Sequence, residues 1–169
     1  SVLAWRIDND LYIGGYGKII AGDSLAYAFY KGEYINSITG LEFLDTSKVT
    51  DMRYMFYYCG YYQAEFTLDL GENFDTSKVT DMSYMFCEAS SFNQPLEKWD
   101  VSHVTNMRSM FWGAASFNRP LDKWDVSNVT DMSEMFDGAT AFDCRSLKKI
   151  EEWNGAFVNI EEESEESEE

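Results

Sequence analysis

Apolar and polar positions alternate through Leu96–Val101 and again through Leu121–Val126, with Trp and Val at alternate places in each LxxWDV run. A short, partly β-branched run of period two predicts a single strand. The period then changes: Met132, Met135 and Phe136 stand at i, i+3 and i+4 within VTDMSEMF. That stripe predicts one or two turns of helix, α or 3₁₀, with Thr130 as N-cap and Asp131 favoured by the helix dipole. The FNxPL elements from Phe92 and Phe117 turn the chain back, because Pro fixes φ and cannot donate while Asn bonds neighbouring backbone.

This strand–helix–turn cycle repeats. DTSKVTDM occurs at Asp45 and Asp75, DVSHVTNM at Asp100 and DVSNVTDM at Asp125, at spacings of 30, 25 and 25 residues. The copies run on in register as RYMF, SYMF, RSMF and SEMF, then Cys59, Ala89, Ala114 and Ala139 at one shared position. The array covers residues 41–147, in units near 41–65, 66–95, 96–120 and 121–147. One such unit cannot bury its own apolar face, so neighbours must stack, and strands stacked at ~4.8 Å would form a parallel sheet along one side.

The string LxxWDVSNVTDMSEMFxxAxxF resembles the DUF285 repeat, a branch of the BspA-like leucine-rich-repeat families, and the likeness covers about two-thirds of the chain. WRIDNDLYIGGYGKI near the start resembles the β-rich cap that precedes such arrays. The resemblance implies an α/β solenoid: a right-handed, leucine-rich-repeat-like coil with a short parallel β-sheet on one face and helical or 3₁₀ turns on the other. It also implies a cell-surface or secreted protein acting in adhesion and protein interaction. The expected organisation is a β-rich N-terminal cap over 1–40, four coils over 41–147, a closing segment over 148–160 with Trp153 and Phe157, and a disordered acidic tail over 161–169.

Composition narrows the partners. A chain of 169 residues that is 45% hydrophobic and 17% aromatic can bury one substantial core. Its net charge of −17 repels phosphate, which argues against nucleic acid and anionic membrane surfaces. Seven of the last nine residues are Glu, so the tail is expected to be solvated. No stretch approaches the ~20 apolar residues of a spanning helix, so no membrane insertion is expected, and SVLAWRIDND does not read as a signal peptide. Cys59, Cys87 and Cys144 show no CxxC spacing, which argues against a disulfide framework or a zinc site and leaves the redox compartment open.

Recognition is expected on the sheet face, where Glu97, Lys98, Asp100 and Ser102 align with Asp122, Lys123, Asp125 and Ser127 and variation between coils tunes the surface. Tyr57, Tyr58, Tyr61 and Tyr62 exceed what one coil needs to bury. They either form an interface for protein or sugar or cover the junction with the cap. The column Asp45, Asp75, Asp100 and Asp125 could bind Ca²⁺, but aspartate-rich, glycine-rich calcium spacings are absent, and each Asp is more simply bonded within its own DxS turn. Asp51, Asp81, Asn106 and Asp131 tolerate Asn, so that position needs an acceptor, as helix capping would. The Met columns have helical spacing without Cys or His companions and read as core, not as a soft-metal site. His103 is matched by Lys48, Lys78 and Asn128 and reads as exposed and variable. Thr50, Thr80, Thr105 and Thr130, whose regularity suggests an ice-binding face, are more simply N-caps. GGYG from Gly14 reads as a hairpin turn, and no nucleophile–base pair or phosphate loop can be assembled. The expectation is therefore a non-catalytic protein-interaction or adhesion module without cofactor or metal. A structural subunit of a larger viral or organellar assembly and a carbohydrate-binding module are the alternatives.

Overall fold

The computed structural model describes residues 2–15, 19–71, 74–147, 153 and 156. Strands β1 (Val2–Ile7) and β2 (Asp10–Gly15) form an antiparallel hairpin about Asp8, whose φ is 52°. The hairpin turn is thus at Asp8–Asn9 and not at GGYG, whose first two glycines end β2 and whose last two residues lie outside the described residues. β4 (Ser37–Thr39) and β6 (Thr67–Leu68) extend the sheet in the order β1-β2-β4-β6, the last two pairings parallel. β3 (Ile19–Ile20) pairs in parallel with β5 (Leu44–Asp45). Among the described residues helical backbone is limited to two single 3₁₀ turns, Leu41–Phe43 and Cys144–Ser146, and to Trp153.

The VTDMxxMF segments are therefore not helical. Each is a ribbon of consecutive β-turns: the Met55, Tyr57 and Cys59 amides donate to the Met52, Tyr54 and Phe56 carbonyls. The alternate amides, of Met52, Tyr54, Phe56 and Tyr58, donate to Asp81, Ser83, Met85 and Cys87 in the next coil at 2.9–3.0 Å. Every fourth residue takes positive φ, at Tyr54, Tyr84, Ser109 and Glu134 and again at Tyr58, Glu88, Gly113 and Gly138, and such a backbone cannot be a right-handed helix. The i, i+3, i+4 stripe does not discriminate, because a ribbon of tight turns also brings Met52, Met55 and Phe56 to one side. What differs is where the amides are satisfied: a helix bonds them internally, whereas here half of them bond the neighbouring coil.

The LxxWDV runs are not strands either. The Trp99 amide donates to the Leu96 carbonyl at 3.1 Å and that of Trp124 to Leu121 at 3.0 Å, so each run opens with a β-turn carrying Glu97–Lys98 or Asp122–Lys123 at its tip. Beyond the short parallel strand pairs, single parallel bridges link Ser24, Asp51, Asp81, Asn106 and Asp131 in succession.

That ladder begins inside the segment read as a cap. Leu25, Tyr27, Phe29 and Lys31 donate to the Asp51, Arg53, Met55 and Tyr57 carbonyls, in the register the later coils use. SLAYAFYKG from Ser24 is a degenerate copy of DMRYMFYYC from Asp51.

The core is a set of vertical columns. All eight methionines of the Met columns are buried. Phe29, Phe56, Phe86, Phe111 and Phe136 stack at 5.3–5.7 Å, and Phe92, Phe117 and Phe142 lie beside the last three at 4.0–4.1 Å. Trp153 stacks on Trp124 at 6.5 Å and is buried; of the closing segment expected over 148–160 only Trp153 and Ala156 are described, and Phe157 and the acidic tail lie outside the described residues.

Candidate functional site

Ribbon positions that face away from the core carry the tyrosines. Tyr27, Tyr54 and Tyr84 occupy one position in three successive coils, so coil stacking sets their rings 4.9 and 4.6 Å apart and within 7° of parallel. Three residues on, Tyr30 stacks on Tyr57 at 4.9 Å, and beyond the ribbon Tyr34 stacks on Tyr62 at 5.0 Å. Edge and tilted contacts join the columns: Tyr27–Tyr30 at 5.4 Å, Tyr57–Tyr58 at 4.7 Å, and Tyr58–Tyr61 and Tyr61–Tyr62 both at 4.9 Å. Nine rings thus form one connected grid. Tyr27, Tyr30, Tyr34 and Tyr62 are 41–60% exposed, and the other five are half-buried.

Polar groups close the grid. The Arg108 Nε donates to the Tyr84 hydroxyl oxygen at 3.1 Å and its Nη2 to Glu134 Oε1 at 2.7 Å; the Tyr58 hydroxyl donates to Glu88 Oε1 at 3.3 Å. Burial, assisted by the neighbouring thiol and hydroxyls, pushes the Tyr57 hydroxyl up to about 12, and burial also raises Tyr54 and Tyr58. These hydroxyls are neutral at physiological pH; that of Tyr58 donates to Glu88, and those of Tyr54 and Tyr57 can donate to a ligand. Sequence reasoning found Tyr57, Tyr58, Tyr61 and Tyr62, which the structure brings together, and missed Tyr27, Tyr30, Tyr34, Tyr54 and Tyr84. The signal for two of them was present in RYMF and SYMF, where Tyr54 and Tyr84 share a repeat position.

The polar residues expected on a sheet face lie on turns of the preceding part of the coil. Glu97 and Lys98 border a cleft of about 480 Å³ with Leu70, Phe74, Pro95 and Trp99. Asp122 and Lys123 sit at the equivalent turn tip one coil on. Asp100 accepts from the Ser102 amide at 3.0 Å and its Oγ at 2.7 Å, which holds its carboxyl below the usual range. Asp125 accepts from the Ser127 amide at 3.1 Å, and Asp45 and Asp75 from Ser47 and Ser77. Each Asp of this column is thus engaged in its own turn. Among the described residues no three His, Cys, Asp or Glu side chains converge as a metal site.

Asp51, Asp81, Asn106 and Asp131 each accept from the amide two residues on, at 2.9–3.1 Å. An acceptor is what this position needs, but it opens a turn ribbon and caps no helix. The threonines are not N-caps: the Oγ of Thr80, Thr105 and Thr130 donates to the threonine carbonyl one coil back, at 2.9–3.2 Å, tying coils together. His103 is exposed, with Nδ1 3.3 Å from Ser102 Oγ. No helix among the described residues is long and apolar enough to cross a membrane.

A family model described as "Mycoplasma protein of unknown function, DUF285" matches residues 23–153, a span that starts one residue before the first rung of the ladder. No curated protein and no solved structure matches the chain.

Proposed function

The chain belongs to the DUF285 family, whose description assigns no function, and from its own surface we propose that it is a non-catalytic binding module that engages a partner protein through the tyrosine grid. The observation that carries this reading is the grid itself: nine linked rings outside the core, four of them at least 41% exposed. Tyrosine supplies large contact area at low entropic cost, and its hydroxyl keeps the surface wettable in the free protein. Rings already held by stacking lose little further freedom on binding.

We read the coils as one solenoid, a leucine-rich-repeat-like coil whose flat turn ribbon presents the grid; the in-register ladder from Ser24 to Asp131 supports this. We further propose that it acts at a cell surface or outside the cell, the setting that the resemblance of its repeats to surface proteins implies. The test is a Tyr30→Ser/Tyr34→Ser/Tyr62→Ser variant compared with the unaltered protein in cross-linking and co-purification from cell-surface protein extracts. A protein retained by the unaltered chain and lost by a variant of unchanged Tm supports the reading. Equal retention by both sinks it.

A further inference from the structure

The aromatic column that starts at Tyr30 and Tyr57 is broken once. The Lys31, Tyr58, Glu88 and Gly113 amides donate in turn to the Tyr57, Cys87, Trp112 and Asp137 carbonyls, which sets Tyr30, Tyr57, Cys87 and Trp112 at one position of successive coils. Coils paired in this way lie ~4.8 Å apart, so the backbones at Tyr57 and Trp112 are separated by about 10 Å with only a thiol between them. Trp112 is 39% exposed, and its indole meets no other ring among the described residues.

The break falls beside Glu88. Its Oε1 accepts from the Tyr58 hydroxyl at 3.3 Å, and a Cβ on Gly113 would lie 2.6 Å from its Oε2, so the carboxyl lies back over the coil that carries Trp112. Burial raises Glu88, and Glu88 in turn helps to raise Cys87 and Tyr57, so carboxyl, thiol and phenol are close neighbours. No cation pairs with this carboxyl among the described residues. Elsewhere the same face already holds cations. Lys31 Nζ lies over the Tyr30 ring at 5.7 Å, and Arg108 is shared between the Tyr84 hydroxyl and Glu134. At Glu88 the chain supplies the aromatic groups and the carboxylate but no cation of its own.

Resting on the reading of the grid as the binding face, we propose that the partner protein offers a basic segment and that one of its arginines docks at the break in the column, its guanidinium paired with Glu88 and stacked on Trp112. A guanidinium suits the place better than an ammonium, because it is planar, lies flat on an indole and donates through a fork to a carboxylate. The net charge of −17 draws such a segment in from a distance.

Isothermal titration of the full chain with a Gly-Arg repeat peptide, its Gly-Lys counterpart and its Gly-citrulline counterpart tests this. The seven glutamates among the last nine residues attract arginine and lysine alike, so a preference for arginine reports on Glu88 and Trp112. The expected result is arginine binding about tenfold tighter than lysine, with citrulline weakest. That preference is expected to vanish in Glu88→Gln and in Trp112→Ala, with melting used to check folding. Trp112 stands outside the core, so its variant decides the matter if Glu88→Gln does not fold. Equal affinity for arginine and lysine overturns the proposal, as does a preference that survives Trp112→Ala or a citrulline peptide that binds as tightly. Loss of a captured protein in the Tyr30→Ser/Tyr34→Ser/Tyr62→Ser variant, with no preference for arginine here, overturns the basic segment and leaves the grid as the binding face.

Discussion

The Trp124 indole Nε1 donates to the Leu96 carbonyl of the coil before it, at 3.0 Å and inside the core. The LxxW motif thus serves two coils at once: Leu96 closes its own turn by accepting from the Trp99 amide at 3.1 Å and also takes the next coil's indole. Trp99 is as deeply buried, but its indole nitrogen makes no hydrogen bond among the described residues. Trp124→Phe and Trp99→Phe therefore remove similar ring volume, and only the first removes a cross-coil hydrogen bond. Chemical denaturation should find Trp124→Phe the more destabilised by about 1 kcal/mol. Equal losses would mean that the indole bond adds nothing beyond packing.

Gly60 and Gly113 both hold positive φ, +67° and +69°, in different surroundings. A Cβ on Gly113 meets the flexible end of Glu88, with Oε2 at 2.6 Å, whereas one on Gly60 meets the Cβ of buried Phe66 at 2.5 Å. Gly113→Ala should cost about 1 kcal/mol, the backbone strain alone. Gly60→Ala adds overpacking of about 1–3 kcal/mol and should melt well below it. Matching melting temperatures would show that Phe66 yields freely.

The repeat and its inward residues were legible in the sequence because stacking demands the same side chains in every coil. Met52 through Met135 and Phe56, Phe86, Phe92, Phe111, Phe117 and Phe136 lie buried as their spacing requires. The local conformation was not legible. Met132, Met135 and Phe136 satisfy a helix and a turn ribbon equally, and the choice is made by amides such as that of Met107, which finds the Asp131 carbonyl in another coil at 2.7 Å. A bond to a residue 24 positions away leaves no local pattern. The first coil escaped for a related reason: SLAYAFYKG keeps the Tyr and Phe of the motif but has lost Asp and both Met. The same loss hid two members of the tyrosine grid, since Tyr27 and Tyr30 belong to that coil and become neighbours of Tyr54 and Tyr57 only once it is stacked.

The thiols provide a check on burial. Cys59 and Cys87 are buried, and that burial pushes both thiols up to about 12, whereas Cys144 is half-buried in its 3₁₀ turn. The thiolate is the reactive form, so the two core cysteines should be inert at neutral pH. A chromogenic disulfide reagent should label Cys144 alone in the native protein and all three thiols in denaturant. Rapid native labelling of Cys59, whose Sγ donates to the Phe29 carbonyl at 3.0 Å, would show the first coil opening.

Asp131 gives a pH signature with a defined sign. Its Oδ1 accepts from Ser133 Oγ at 2.6 Å and the Ser133 amide at 3.0 Å. Those bonds, led by the hydroxyl and aided by the Arg108 charge, outweigh desolvation and hold the carboxyl below its ordinary 3.8. A group depressed on folding contributes stability that is fully present above its unfolded value and is lost as pH falls through the folded one. Asn106 fills the same column position, so Asp131→Asn keeps the acceptor and the turn while removing the titration. The unaltered protein should melt above the variant at pH 6, with the gap closing as pH drops below about 4. Ser133→Ala should narrow the gap at neutral pH by removing the leading donor. Glu88, raised by burial, has the opposite sign and gains stability as pH falls, so Glu88→Gln in both backgrounds isolates the Asp131 contribution. A gap that persists unchanged at low pH would remove the carboxylate from any part in holding the last ribbon.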